Sequence, residues 1–231
     1  MKLLTALSEG WSNEELKASV EAYVEMQRNE RAGQLIIKQH YYSKLAKTFG
    51  RSEKAFEHRM QNISYVLSLM GRSWLTGLKP AKNVDADIAD QIEKLLTRLE
   101  GQKVPRIAAF EIAVREKARQ KNDHKPSGNQ NPKPRRVLVT QFQGDAAVKA
   151  WVLQQAAGIC ECCEKPAPFK GTDGVPYLEL HYVRQLAEGG ADTVSNAVAL
   201  CPNCHREIHY GANAQALAAW LYDNVARLSR D

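Results

Sequence analysis

Residues 177–211 read YLELHYVRQLAEGGADTVSNAVALCPNCHREIHYG, and the order of residue types in this stretch decides how the C-terminal part of the chain folds. Tyr177, Leu178 and Leu180 form an apolar segment that reads as a strand ending at His181. A Gly-rich loop follows over 186–196, and Ala197-Val198-Ala199-Leu200 reads as a second strand. His205 and His209 are four apart, so on a helix starting near Cys204 they project from one face. Histidines at this spacing are commonly incidental surface. Here strand, loop, strand and helix bring a third imidazole, His181, to the same place, and three together make a metal site.

The five cysteines all lie between Cys160 and Cys204, and four of them form two pairs, Cys160-Glu161-Cys162-Cys163 and Cys201-Pro202-Asn203-Cys204. Two intervening residues let both sulfurs of a pair reach one Zn²⁺ at about 2.3 Å from a single tight turn. Without a secretory signal, metal binding is a better reading than disulfides. Four protein ligands fill the tetrahedral sphere, so Cys160, Cys163, Cys201 and Cys204 hold a structural zinc and leave no position for substrate. Cys162 is the spare, able to replace a neighbour only through a strained loop.

A chain of 231 residues with an apolar fraction of 44% can bury a real core as one large or two small domains. The formal net charge of +6 permits binding to a polyanion without requiring it. The opening MKLLTALSEG lacks a basic start followed by a long apolar run, and no stretch approaches the roughly 20 apolar residues of a membrane span. The sequence therefore reads as a soluble, cytoplasmic protein with no membrane partner.

The N-terminal part is patterned for helices. Ser12 and Glu15 fit a capping box before Leu16, Val20, Tyr23, Val24 and Met26, which predicts a helix of about 16 residues. A short second helix over 41–49 stops at Gly50, and a third begins near Ser52 with Phe56, Met60, Ile63, Val66 and Leu67 on one face. Lys54, His58, Arg59, Gln61 and Asn62 fall elsewhere. A short helix, a Gly turn and a polar second helix is the layout of a helix-turn-helix DNA reader, which makes Arg59, Gln61 and Asn62 candidate DNA contacts; packed helices with solvated faces give the same pattern. Gly71 and the stretch 77–80 interrupt the helices, and Asp85 or Asp87 can cap a fourth carrying the core stripe Ile88, Ile92, Leu95, Leu96 and Leu99.

Residues 117–136 read KARQKNDHKPSGNQNPKPRR, a basic, Pro-rich and Asn-rich flexible linker in which His124 has no assigned role. Its charges suit either a phosphate backbone or a merely solvated tether. A brief extended stretch over 137–140 precedes a helix that Asp145 starts and that runs through Ala147, Val148, Trp151, Val152 and Ala156 to Gly158. The expected organisation is α+β: a mainly helical, helix-turn-helix-like domain over 1–116, the linker, and a small zinc-stabilised domain over 137–231.

Cys160 with Cys163, the LEL-His181 strand end, Glu188-Gly189-Gly190, Asn196 and CPNCH-x3-H together resemble the HNH, or ββα-metal, endonucleases over residues 147–211. The resemblance implies that His181, His205 and His209 hold a catalytic divalent ion and that Asn196 braces the loop and orients the catalytic residue. It also implies hydrolysis of a DNA phosphodiester to a 5′ phosphate and a 3′ hydroxyl. Three neutral imidazoles suit Mn²⁺, Ni²⁺, Co²⁺ or Zn²⁺ at least as well as Mg²⁺, which prefers oxygen ligands.

The chain departs from the family where a histidine serves as general base: Tyr182 stands there, and Val183-Arg184-Gln185 replaces the usual continuation. A nearby metal and Arg184 would be needed to lower the pKa of Tyr182, giving a rate that rises toward alkaline pH; otherwise Tyr182 only positions water. Arg184 is also a candidate DNA contact.

The region from Trp11 through residues 77–84 resembles the front end of McrA-type, modification-dependent restriction enzymes. That resemblance implies bacterial defence, with double-stranded DNA, base-modified DNA included, as the partner. Trp74 or Tyr65 would then either stack on a base or simply fill the core. Two other readings stand beside it: a zinc-stabilised DNA-binding protein with lost or weak cleavage, and a homing or nicking HNH nuclease with sequence specificity. An HNH site ordinarily cuts one strand, so a double-strand break calls for a homodimer or two successive nicks.

Overall fold

Ser12 and Glu15 close the first helix as the sequence predicts: Glu15 N–H donates to the Ser12 hydroxyl at 3.1 Å, and Ser12 N–H donates to the Glu15 carboxylate at 2.7 Å. In the computed structural model, which describes residues 10–101, 106–120, 125–134 and 141–230, this helix, α1, spans Asn13–Arg31 and is 19 residues long. α2 spans Lys38–Phe49, starting ahead of the expected 41, and ends at Gly50, whose φ of +74° is the left-handed conformation that a side chain resists. α3 spans Glu53–Leu69 behind Ser52, whose hydroxyl accepts the Ala55 N–H at 3.2 Å. Its predicted apolar face, Phe56, Met60, Ile63, Val66 and Leu67, is fully buried in one core with Leu16, Val20, Tyr23 and Met26 of α1.

Asp85, not Asp87, caps α4, which spans Ala86–Leu99, by accepting the Ile88 N–H at 2.8 Å. Ile92 and Leu96 are fully buried with Ala89, whereas Leu99 is 38% exposed, so the inward stripe is narrower than expected. α5 spans Ile107–Arg119, a helix the sequence analysis does not assign, and its last turn occupies the start of the segment read as linker. Its cap comes from outside: the buried Glu93 carboxylate accepts N–H groups from Ile107 at 2.7 Å, Ala108 at 3.0 Å and Ala109 at 3.4 Å. Residues 125–134 are exposed and carry no helix or strand. His124 and the predicted extended stretch 137–140 lie outside the described residues.

The residues expected to contact DNA from α3 are engaged within their own unit. Arg59 is only 9% exposed and lies 4.3 Å over the Trp11 ring, and its burial lowers its pKa to about 10. Asn62, 2% exposed, donates to the Ala81 carbonyl at 3.0 Å and to the Asn83 side chain at 3.2 Å. Gln61 is half-buried, and its main-chain carbonyl accepts the Ala81 N–H at 3.0 Å. Trp11 and residues 81–83 cover these flanks of α3, so Arg59 and Asn62 brace their own unit from within. Tyr65 is buried and Trp74 packs on the same core.

The chain divides into two compact units, one comprising 1–70 with 74–139 and the other 71–73 with 140–231. In the second, Asp145 caps α6, which spans Ala146–Ala156, through the Ala147 N–H at 2.7 Å. β1 spans Glu179–Tyr182, and β2 spans Ala197–Leu200; they pair antiparallel with His181 opposite Val198. The loop between them is stiffened by 3-10 turns at Leu186–Glu188 and Val194–Asn196. α7 spans Pro202–Tyr210, and α8, for which the sequence analysis gives no element, spans Ala214–Asn224. All four residues of β2 are buried, in a core shared with Val152, Leu178, Ile208 and Leu221. Among the described residues, no helix is long and apolar enough to cross a membrane.

Candidate metal centre

Cys201 is the N-cap of α7 and Pro202 its first residue, a pairing that turns the chain sharply and aims the cap sulfur at the Cys204 N–H, 3.5 Å away. The Cys160 sulfur accepts the Cys201 N–H at 3.2 Å, tying the two knuckles together. The four sulfurs of Cys160, Cys163, Cys201 and Cys204 all lie within 4.8 Å of one another. Sulfurs at the corners of a zinc tetrahedron are about 3.8 Å apart, so this cluster is of the size that one ion would draw in. Burial works against ionisation of Cys160, but donated N–H groups from Cys163, Cys201 and Cys162 outweigh it and bring the thiol down to about 7. Burial and the neighbouring thiols of Cys201 and Cys163 push Cys204 up. So crowded a set cannot ionise together without a cation among its members. Cys162, half-buried, stays outside the set.

Cys204 also starts the turn that carries the histidines. His205 and His209 stand one turn apart on α7, and β1 delivers His181 opposite them; their ligand nitrogens all lie within 4.8 Å of one another. The Nε2 atoms of His205 and His209 face each other at 3.2 Å. Two nitrogens bound to one ion at 2.0–2.1 Å are separated by about 2.9 Å at right angles and about 3.4 Å at the tetrahedral angle, so the observed spacing fits a shared divalent ion. Glu179 fixes one ring: its carboxylate is 2.5 Å from His205 Nδ1, which leaves Nε2 with its lone pair turned toward the cluster. Sequence reasoning missed Glu179, although its place two residues before His181 puts both on one side of the strand.

Burial, reinforced by the neighbouring His209 and His205 rings, lowers the His181 pKa to about 3. The same desolvation lowers His209. Both imidazoles are therefore neutral at physiological pH, the state in which a ring nitrogen can ligate a metal. Because an unfolded imidazole titrates near 6.5, the metal-free unfolded chain takes up a proton at His181 that the folded one refuses. The resulting stability is complete above that value and is lost as pH falls below it. The His181 contribution at pH 4.5 is about 2–3 kcal/mol against folding. Acid unfolding of the wild type should thus steepen below pH 6.5 relative to His181→Leu, and coincident acid limbs would refute it.

Asn196, 7% exposed, knits the loop: its side chain accepts the Arg184 N–H at 2.9 Å and donates to the carbonyls of Arg184 at 2.9 Å and Ala191 at 2.8 Å. Gly190 is required beside it, since a Cβ there would sit 2.0 Å from the Arg184 carbonyl oxygen and 2.8 Å from Asn196 Nδ2. Arg184, half-buried, donates through Nε to the Glu188 carbonyl at 3.4 Å, so its guanidinium serves the loop.

Tyr182 does not have the environment expected of a base. Its hydroxyl donates to Asp192 Oδ1 at 2.6 Å, and Asp192 Oδ2 accepts the Asp145 N–H at 2.6 Å. Burial and this carboxylate raise its pKa to about 12, opposite to the lowering that the phenolate route needs. Its partner is Asp192, not Arg184, and no local pattern in the sequence signals that pairing.

Residues 160–211, which hold both knuckles and all three histidines, match the HNH endonuclease family. Over 105 residues the chain is 53% identical to the Type IV methyl-directed restriction enzyme EcoKMcrA of Escherichia coli (strain K12). That stretch is 46% of this chain and spans 38% of the relative's length. The region around the metal centre is therefore HNH-like and similar to a McrA restriction enzyme.

Proposed function

We propose that this chain is a metal-dependent DNA endonuclease of the restriction type, acting on base-modified foreign DNA. The observation that carries the reading is the convergence of three imidazoles on one point, with His205 and His209 presenting facing Nε2 atoms at 3.2 Å. Three protein donors, unlike the four thiolates nearby, leave room in the coordination sphere for a substrate oxygen. A divalent ion held there by His181, His205 and His209 would supply positive charge against the negative charge that develops as a phosphodiester is hydrolysed. His181 contributes a neutral ligand from the strand, Glu179 orients His205, and Asn196 holds the loop against the end of β1. The four-cysteine cluster would hold a zinc ion that ties α7 to the knuckle before it.

The reading is tested by incubating the full chain with phage DNA carrying modified or unmodified bases in the presence of Mn²⁺, Ni²⁺, Co²⁺ or Mg²⁺. Cleavage of modified DNA with the transition ions, ahead of Mg²⁺, is the expected result. Equal cleavage of both DNAs would leave a nuclease without modification dependence; binding without cleavage in any ion would overturn the enzyme.

The Tyr182–Asp192 hydrogen bond favours a second reading of the same site, a DNA-binding protein with weak cleavage. A phenol with a pKa of about 12 is ionised in only about one molecule in 10⁵ at pH 7. Tyr182→Phe should therefore slow cleavage less than about tenfold and leave the shape of the pH profile unchanged, whereas Tyr182→His should speed it. A hundredfold loss in Tyr182→Phe together with a vanished alkaline rise would restore the tyrosine as the base.

A further inference from the structure

The Ile159–Pro166 bridge closes around the first knuckle, and between it and β1 the chain makes a small hairpin-like excursion bridged at Lys170–Pro176. Two aromatic rings stand on it. Phe169 and Tyr177 stack with centroids 4.7 Å apart and planes 17° apart, pinned by the Tyr177 N–H donating to the Phe169 carbonyl at 2.9 Å. Phe169 is 51% exposed and Tyr177 39% exposed, so the pair presents an aromatic face to solvent instead of filling the core beneath it.

Tyr177 is wired to the metal centre. Its hydroxyl donates to Glu179 Oε1 at 3.0 Å, and the other carboxylate oxygen of Glu179 is the one that faces His205 Nδ1. Tyr177, Glu179 and His181 follow one another at two-residue intervals, which along extended chain places the rings about 13 Å from His181. That is a reach of a few nucleotides from a phosphate held at the histidines.

Resting on the nuclease reading above, we infer that the Phe169–Tyr177 pair is a stacking platform for a nucleobase flanking the scissile phosphate. An exposed, preorganised π-face is the chemistry that receives a base by stacking. Tyr177 serves both ends of this arrangement: its ring supports the base, and its hydroxyl steadies the carboxylate that orients His205. Contact at the platform is thereby coupled to the geometry of the ion site.

The test uses the full, zinc-loaded chain and duplexes carrying 2-aminopurine at successive positions beside the cut, with Ca²⁺ in place of a catalytic ion for binding measurements. Wild-type protein should quench 2-aminopurine at one or two positions on one side of the cut. Phe169→Ala should abolish that quenching and weaken binding about tenfold, Phe169→Trp should restore both, and Mn²⁺ affinity should stay the same in either variant. Wild-type binding and cleavage with undiminished quenching in Phe169→Ala would overturn the platform while leaving the nuclease standing. Failure of the wild type to bind any duplex would overturn the nuclease reading and the platform with it.

Discussion

Cys204→Ser, or removal of the knuckle ion with a strong chelator, should unfold the unit formed by residues 140–231 while the N-terminal helices keep their structure. Among its described residues the second unit has little else to hold it: its sheet is a single pair of four-residue strands, and three of its core side chains, Cys160, Cys201 and Cys204, belong to the cluster itself. A lone pair of strands this short is marginal in water, so the packing of α6 and α7 against β2, and of α8 against α7, depends on the knuckles being closed. Binding of a structural zinc by small cysteine-rich domains is worth on the order of 10 kcal/mol at neutral pH, comparable to the whole stability of an ordinary domain. The helical unit has its own core, from Leu16 on α1 to Ile112 on α5, and none of the cysteines. Thermal unfolding followed by circular dichroism should therefore lose one transition on chelation and retain the other. Unchanged melting of both, with zinc verified absent by metal analysis, would show that the thiols do not need the ion.

The parts of this fold that could be read from the sequence are those whose determinants are local. Ser12 and Glu15 cap a helix three residues from each other, Gly50 stops one in place, and the cysteine and histidine spacings are short enough to declare one knuckle and one helix face. What escaped depends on partners distant in the chain. α5 has no capping side chain of its own; its N-terminus is satisfied by Glu93, 14 residues before Ile107. Arg59 has the composition of a DNA contact, but Trp11 arrives from another element to bury it. Tyr182 occupies the position of a base, and only the return of Asp192 across the loop gives it a carboxylate partner and a raised pKa. Alternating the residues of β1 places Glu179 beside His181; its bond to His205 required the sheet and α7 to be assembled.

His181→Ala should reduce cleavage by at least about a thousandfold without unfolding the chain, the loss expected when several kcal/mol of charge stabilisation leave the transition state. Within the three-histidine group, His181 is the member that β1 supplies, and the facing pair His205 and His209 would be left to bind a metal from one helix alone. Its side chain is 5% exposed, so truncation also opens a small cavity, but the neighbouring β2 core and the knuckles remain. Glu179→Gln provides the graded comparison: it keeps the shape and a hydrogen-bonding group near His205 while removing the charge, and should cost only about 10–100-fold, chiefly in metal affinity. The two variants should separate in a metal titration. Raising Mn²⁺ should restore most of the activity of Glu179→Gln, because its three imidazoles persist, and little of that of His181→Ala. Equal rescue of both would mean that His181 is dispensable as a ligand. Full activity in His181→Ala would remove the three-histidine site from the reaction altogether.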